Sequence, residues 1–148
     1  MRDGFGKPVM TWLGWALLSA LFAAMSAFLA KLGVKGVEAN LGTAIRTSVV
    51  AVLSWAIVAA FPAPATVSAI SRCVWLFLIL SGIATGLSWL CYFHALQSGP
   101  LTRVAPVDKL SVVLTIVLGA LFLGEPLTWR GTLGASLIAA GVIMIAFE

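Results

Sequence analysis

Uninterrupted apolar runs occupy most of this chain, and their lengths limit what it can fold into. Val9 to Ala30 carries no charge, Leu41 to Phe61 has Arg46 as its only charge, and the only ionisable group in Cys73 to Leu96 is His94. A hydrocarbon core roughly 30 Å thick needs about 20 helical residues, so each run is long enough to cross one. Val104 to Leu123 is also long enough, but it includes Asp108 and Lys109, and its uncharged part is confined to Leu110 to Gly124. That part would reach roughly 22 Å at about 1.5 Å per residue. Either a charge pair enters the membrane or this helix is short. Gly131 to Phe147 is a fifth run, shorter than the others and preceded by Trp129 and Arg130. The expectation is an all-α integral membrane protein: a bundle of five transmembrane helices at about 9–30, 41–61, 73–96, 104–123 and 129–147, forming a single domain over residues 1–148.

Composition agrees. Only 9% of residues are charged, 61% are hydrophobic and the mean hydropathy is +1.11, whereas a soluble domain carries roughly a quarter charged residues. A cytosolic enzyme, a secreted disulfide scaffold and a disordered regulator are excluded. A transmembrane barrel needs alternating strands, but Val74 to Leu80 and Val112 to Leu118 are mostly apolar at successive positions. The first run is longer than a signal-peptide core and is followed by Lys31 and Lys35, as a span would be. Cys73 and Cys91 lie in apolar runs at no metal or redox spacing and read as buried small hydrophobes. The net charge of +4 is spread without a basic tract, so nucleic acid is not an expected partner. The Pro-rich stretch Phe61 to Ala65 and the Gly99-Pro100 pair read as connections.

With an odd number of spans the termini lie on opposite sides. The N-terminal side receives Arg2, Lys7, Arg72 and Arg130; the other receives Lys31, Lys35 and Arg103, with Arg46 and Lys109 slightly buried at that end. Orientation normally follows a Lys and Arg excess on the cytoplasmic side, and here the bias is close to nil. Two readings stay open: one orientation fixed by context, or insertion both ways with head-to-tail pairing, the inverted symmetry on which many transporters are built.

The ionisable residues share one layer. Arg46 lies about five residues into the second span, Asp108 and Lys109 four or five into the fourth, and His94 two before the end of the third, each roughly 3 to 8 Å deep. Intramembrane charges usually pair or face an aqueous cavity, and Asp108 with Arg46 is the natural pair. Two readings remain: interfacial anchors that reach headgroups, or an ion-paired gate at the mouth of a pathway. Pro106 sits where the fourth span begins and removes a backbone donor there. Ser81, Thr85, Ser88 and Tyr92 form one face of the third helix, with Trp89 and the Gly82 and Gly86 pair beside it. This face either lets helices approach closely or makes a mildly polar substrate wall where Trp89 and Tyr92 offer cation–π contact. Trp12, Trp15, Trp75 and Trp129 mark an interfacial belt on the N-terminal side, where Glu125 is expected as a headgroup-level partner for Arg130 and Arg72. The candidate path and gate residues are thus Arg46, His94, Asp108, Lys109, Trp89, Tyr92, Ser88 and Lys31. No activated nucleophile, metal cluster or nucleotide motif is found, so no catalytic residue, metal or cofactor is expected, and the chain is not expected to be an enzyme.

Several stretches carry a family likeness. Tyr92-Phe93-His94-Ala95-Leu96-Gln97-Ser98-Gly99-Pro100, Val104-Ala105-Pro106-Val107-Asp108-Lys109-Leu110-Ser111-Val112-Val113, Leu121-Phe122-Leu123-Gly124-Glu125-Pro126-Leu127-Thr128 and Gly134-Ala135-Ser136-Leu137-Ile138-Ala139-Ala140-Gly141 resemble the EamA-type domain of the drug/metabolite transporter superfamily, in its short single-domain bacterial and archaeal branch. Ala30-Lys31-Leu32-Gly33 and Ala44-Ile45-Arg46-Thr47 resemble it in the first half. The resemblance implies a multipass inner (plasma) membrane carrier of small metabolites or drugs. Most relatives have about ten helices in two inverted copies; this chain has the organisation of one half, which implies a homodimer, antiparallel in the simplest case. Size and weak charge bias also resemble the small multidrug resistance proteins, but their first-helix glutamate has no counterpart in Val9 to Ala30. If protons are coupled, Asp108 and His94 are the candidates. The expected function is a small secondary transporter whose partners are a small-molecule substrate and the bilayer; a non-transporting membrane subunit or a lipid-flippase component is the alternative.

Overall fold

The computed structural model describes residues 11–61 and 70–147. These form six helices: α1 (Trp12–Gly33), α2 (Ala39–Ala60), α3 (Arg72–Ser98), α4 (Leu101–Asp108), α5 (Leu110–Leu123) and α6 (Trp129–Ala146). Among the described residues there is no strand, and five segments, with α4 and α5 taken together, are long and apolar enough to cross a membrane. Val9 and Met10 of the expected first span, and most of the Phe61 to Ala65 connection, lie outside the described residues.

Helix starts follow from side chains that satisfy otherwise orphaned N–H groups, a strong requirement near hydrocarbon. Thr11, Glu38, Ser71 and Thr128 accept from the amides of Gly14, Leu41, Val74 and Gly131. Hydrogen bonds from the amides of Asn40 and Leu41 hold the Glu38 carboxyl below its ordinary value. At the other ends, Gly99 and Pro100 stop α3 and start α4 with extended backbone. Gly124 ends α5 in the left-handed conformation (φ 66°) that glycine adopts most readily.

The fourth span departs from expectation. It begins at Leu101, not Val104, so Pro106 sits inside α4 instead of in its first turn. A proline there cannot donate to the carbonyl one turn back, and the helix breaks shortly after it. The Lys109 amide bonds the Pro106 carbonyl at 2.9 Å, a tightened turn, and α5 restarts at Leu110. Leu101 to Leu123 is 23 residues, long enough to cross even with Asp108 and Lys109 at the joint.

Packing is concentrated at one end of the bundle, where α1 finishes, α2 starts, α3 finishes and α4 starts. Val34, Ala39, Phe93 and Leu96 are buried together there, with Ala30, Tyr92, Leu101 and Val104 against them. Gly42 makes the contact with Phe93 possible, since a Cβ at that position would stand 3.1 Å from the ring. Polar ties reinforce this end. The Lys31 ammonium donates to the carbonyls of Leu96 and, at 2.7 Å, of Gly99; the Gln97 amide donates to the Val37 carbonyl at 2.6 Å. Elsewhere, α2 packs along α3, α6 packs on α4 and α5, and α1 touches α3 and α4.

Toward the opposite end Gly119 of α5 and Ala135 of α6 are buried, while large apolar side chains such as Val52, Trp55 and Phe77 of α2 and α3 face outward, as lipid contact permits. Cys73 and Cys91 are exposed as well, not buried as expected: an apolar run in a membrane helix signals hydrocarbon, which lipid supplies as well as protein does. Phe93 is 4% exposed and Phe77 65%, so their truncations separate protein packing from lipid contact. Phe93→Ala is expected to cost about 3 kcal/mol and Phe77→Ala well under about 1 kcal/mol, measured by unfolding in a constant lipid or detergent environment.

Candidate functional site

A cavity of about 1260 Å³ lies between α1, α3, α4 and α6, with Arg46 entering from α2. On α1 its wall is Ala16, Ser19, Ala20, Ala23, Ser26 and Ala27, with Phe22 and Ala24 beside them; on α6 it is Leu137, Ile138, Gly141, Val142 and Ile145. The α1 wall is small because those residues recur every three or four positions, which keeps one helix face low. Ser88, Trp89 and Tyr92 from α3, and Ala105, Pro106, Asp108 and Lys109 from α4 and the joint after it, complete the lining. The charged groups lie toward the tied end together with Val142 and Ile145, and the low wall of α1 extends away from it.

Arg46 organises the polar end. Its Nη2 donates to Ser26 Oγ at 2.9 Å, its guanidinium lies 4.5 Å from the centre of the Trp89 ring, and the Phe93 ring is 5.8 Å away. Half-burial in aromatic contact with a hydroxyl partner reduces the cost of a cation at this depth. The expected Arg46–Asp108 ion pair is not formed. The ion pair found among the described residues is Lys109 with Asp108, at 3.4 Å and largely exposed. Matched depth was the reason to expect the pair, but α2 has α3 as its main neighbour, not α4, and Arg46 settles on the aromatic rings next to it. Arg46 and Asp108 still line the same cavity.

Six of the eight candidate residues meet there: Arg46, Ser88, Trp89, Tyr92, Asp108 and Lys109. His94 does not. It is exposed, two residues and so about 200° around the helix from Tyr92. Lys31 does not either, because its ammonium is used on the last carbonyls of α3, where a cation also meets the negative end of the helix dipole. Of the hydroxyl face on α3, Ser88 and Tyr92 reach the cavity, whereas Ser81 and Thr85 are exposed and the Thr85 hydroxyl bonds the Ser81 carbonyl.

Ser19 and Ser26 are cavity residues that the sequence reading does not single out. Their signal is the seven-residue spacing between two hydroxyls on an alanine-rich face. A second, smaller cavity of about 360 Å³ shares Ser88, Tyr92 and Asp108 with the first and adds Cys91 and Arg103. Glu125 makes no ion pair with Arg72 or Arg130. Its carboxylate folds over Gly119, 3.0 Å from where a Cβ would stand, while Arg130 lies over Trp129.

Fold and site together define a multi-pass helical membrane protein with an open cavity between its helices that carries Arg46, Asp108 and Lys109 in its lining. The EamA-like transporter family matches residues 10–147, and the chain belongs to that family. A protein of a Sinorhizobium species named as an uncharacterized transporter in the cobO 3′ region is 50% identical over 136 residues, covering 92% of this chain and 96% of that protein. An uncharacterized protein of Methanocaldococcus jannaschii is 29% identical over 72 residues, covering 49% of this chain and 53% of its own length. No solved structure matches significantly. The chain is accordingly a transporter of the drug/metabolite superfamily, a class of carriers and not, in general, of enzymes.

The different uses of the two lysines can be measured. Lys31→Met is expected to lower stability by roughly 1.5 to 3 kcal/mol, the range for hydrogen bonds to a charged group. Lys109→Met, which removes only an exposed contact, is expected to change it by less than about 1 kcal/mol. Equal effects in denaturation would contradict the assignment.

Proposed function

We propose that this chain is a small secondary transporter of metabolites or drugs in the inner (plasma) membrane, working by alternating access as an antiparallel homodimer of single-domain protomers. The observation that carries this reading is the cavity with Arg46, Asp108 and Lys109 in its lining. Charges are costly at membrane depth and are kept where a solute or water meets them. The polar ties and the buried cluster join α1 to α4 at one end, so movement of α1 and α2 relative to α6 can widen or close the cavity without disturbing the buried cluster. Two copies inserted in opposite directions would place equivalent tied ends at opposite faces of the membrane. Exchanging which copy is open then alternates access, and the nearly balanced distribution of positive charge is compatible with both insertions.

Within the cavity, Trp89 and Tyr92 supply stacking surface, Ser88 a hydroxyl, and Arg46 with Asp108 and Lys109 the charge that a solute must meet to pass. Asp108 is the carboxylate of the lining, and proton coupling, where it operates, runs through it.

Purified protein in liposomes is expected to show saturable solute flux that Asp108→Asn and Arg46→Ala each reduce by at least about tenfold, the scale of one lost charge-assisted contact, with insertion intact. Normal flux in both variants would remove these residues from the pathway. Absence of flux with a co-purifying partner would point to a non-transporting subunit, and lipid translocation in its place to a flippase component. Reporters at each terminus that are active on one side of the membrane only should give signal from both compartments; signal from one alone contradicts dual insertion.

A further inference from the structure

No carboxylate among the described residues stands against the charge that Arg46 brings to the cavity. Among the described residues, its hydrogen-bond partner is the neutral Ser26 hydroxyl, and none of the carboxylates lies at salt-bridge distance. A guanidinium has five N–H donors, so most of its capacity is uncommitted to the described residues. The carboxylate in the same lining, Asp108, already has Lys109 beside it at 3.4 Å. The polar end of the cavity thus holds two cations and one anion, an excess of one positive charge. Contact with Trp89 at 4.5 Å and with Ser26 holds the guanidinium in place in advance, which lowers the entropy lost when it forks onto a planar anion. Away from Arg46 the lining turns apolar at Phe22, Leu137 and Ile138, and Val142 and Ile145 add apolar surface beside the charges. At about 1260 Å³ the space is ample for an organic molecule, since ligand pockets typically run to about 1,000 Å³.

We propose that the solute is an amphipathic organic monoanion whose anionic group pairs with Arg46 and whose apolar body lies along Phe22 and α6. A cationic solute is disfavoured by the same charge excess. This rests on the carrier reading and adds the substrate class to it. An anionic lipid headgroup presents the same chemistry as a soluble carboxylate, so the test must separate the two sources.

The probes are 3-phenylpropionate and its near-isosteric amine, 3-phenylpropylamine, titrated by calorimetry against the full chain in nanodiscs of phosphatidylcholine alone. The acid should bind at least about tenfold more tightly than the amine, and Arg46→Gln should weaken it by a similar factor, the scale of one charge-assisted hydrogen bond. Arg46→Lys should lose less than Arg46→Gln, because it keeps the charge but not the fork. Amine binding equal to acid binding, absence of acid binding by the folded protein, or an acid affinity unchanged in Arg46→Gln would overturn the proposal. The acid and amine comparison needs no variant, so it stands even where Arg46→Gln does not fold. Repeating the titration with phosphatidylglycerol in the nanodisc separates the sources. Competition supports an anion on Arg46 and assigns it to lipid; unchanged acid binding supports the same site and assigns it to a soluble solute. Acid binding without flux in liposomes would count against the carrier and leave the anion site standing; flux of the amine without acid binding would do the reverse.

Discussion

A guanidinium cannot stand in hydrocarbon without partners, and the way this chain provides for Arg46 determines much of the rest of its structure. Trp89 and Phe93 on α3 lie beside the cation and Ser26 on α1 accepts from it, which requires α1, α2 and α3 to converge at that level. Phe93 serves twice: one side of its environment is Arg46, the other is Gly42 and the buried cluster with Val34, Ala39 and Leu96. The cation and the packed end of the bundle are therefore one assembly.

Lipid removes the usual reason for helices to press together along their whole length. Apolar side chains that would be a liability in water face outward here without cost, and the polar groups that must be satisfied fix where α1 to α4 come together. Those groups lie at one end: the last carbonyls of α3 under Lys31, the Val37 carbonyl under Gln97, and the joint between α4 and α5 after Pro106. The remaining lengths of α2 and α3 are free of such constraints.

Most of the fold was legible in the sequence because hydrocarbon thickness sets span length, and charge marks where spans stop. The start of the fourth span was not, because Leu101-Thr102-Arg103 has the composition of a loop; tertiary contact of Leu101 with the buried cluster draws it into helix. Depth was legible too, and it placed Arg46, Asp108, Lys109 and His94 in one layer. Azimuth and helix adjacency were not. His94 shares the depth of Tyr92 but faces the other way, and Arg46 shares the depth of Asp108 but sits on a helix whose main neighbour is α3. Lys31 has the look of a snorkelling cation because the carbonyls it satisfies are far away in sequence, at Leu96 and Gly99. Ser26 carries no charge to draw notice within an apolar run, although its hydroxyl is the polar partner that Arg46 uses.

The central claim is that the face of α1 carrying Ser19 and Ser26 borders a solute-accessible cavity, while the exposed faces of the bundle meet lipid. Single cysteines tested with a membrane-impermeant thiol reagent, in a chain whose Cys73 and Cys91 are replaced by serine, address this directly. Ser19→Cys, on the cavity wall, should react from the aqueous phase, and prior addition of a transported solute should slow it. Val52→Cys, on an outward face, should remain inert in intact membranes. An inert Ser19→Cys beside a reactive Val52→Cys would contradict the account.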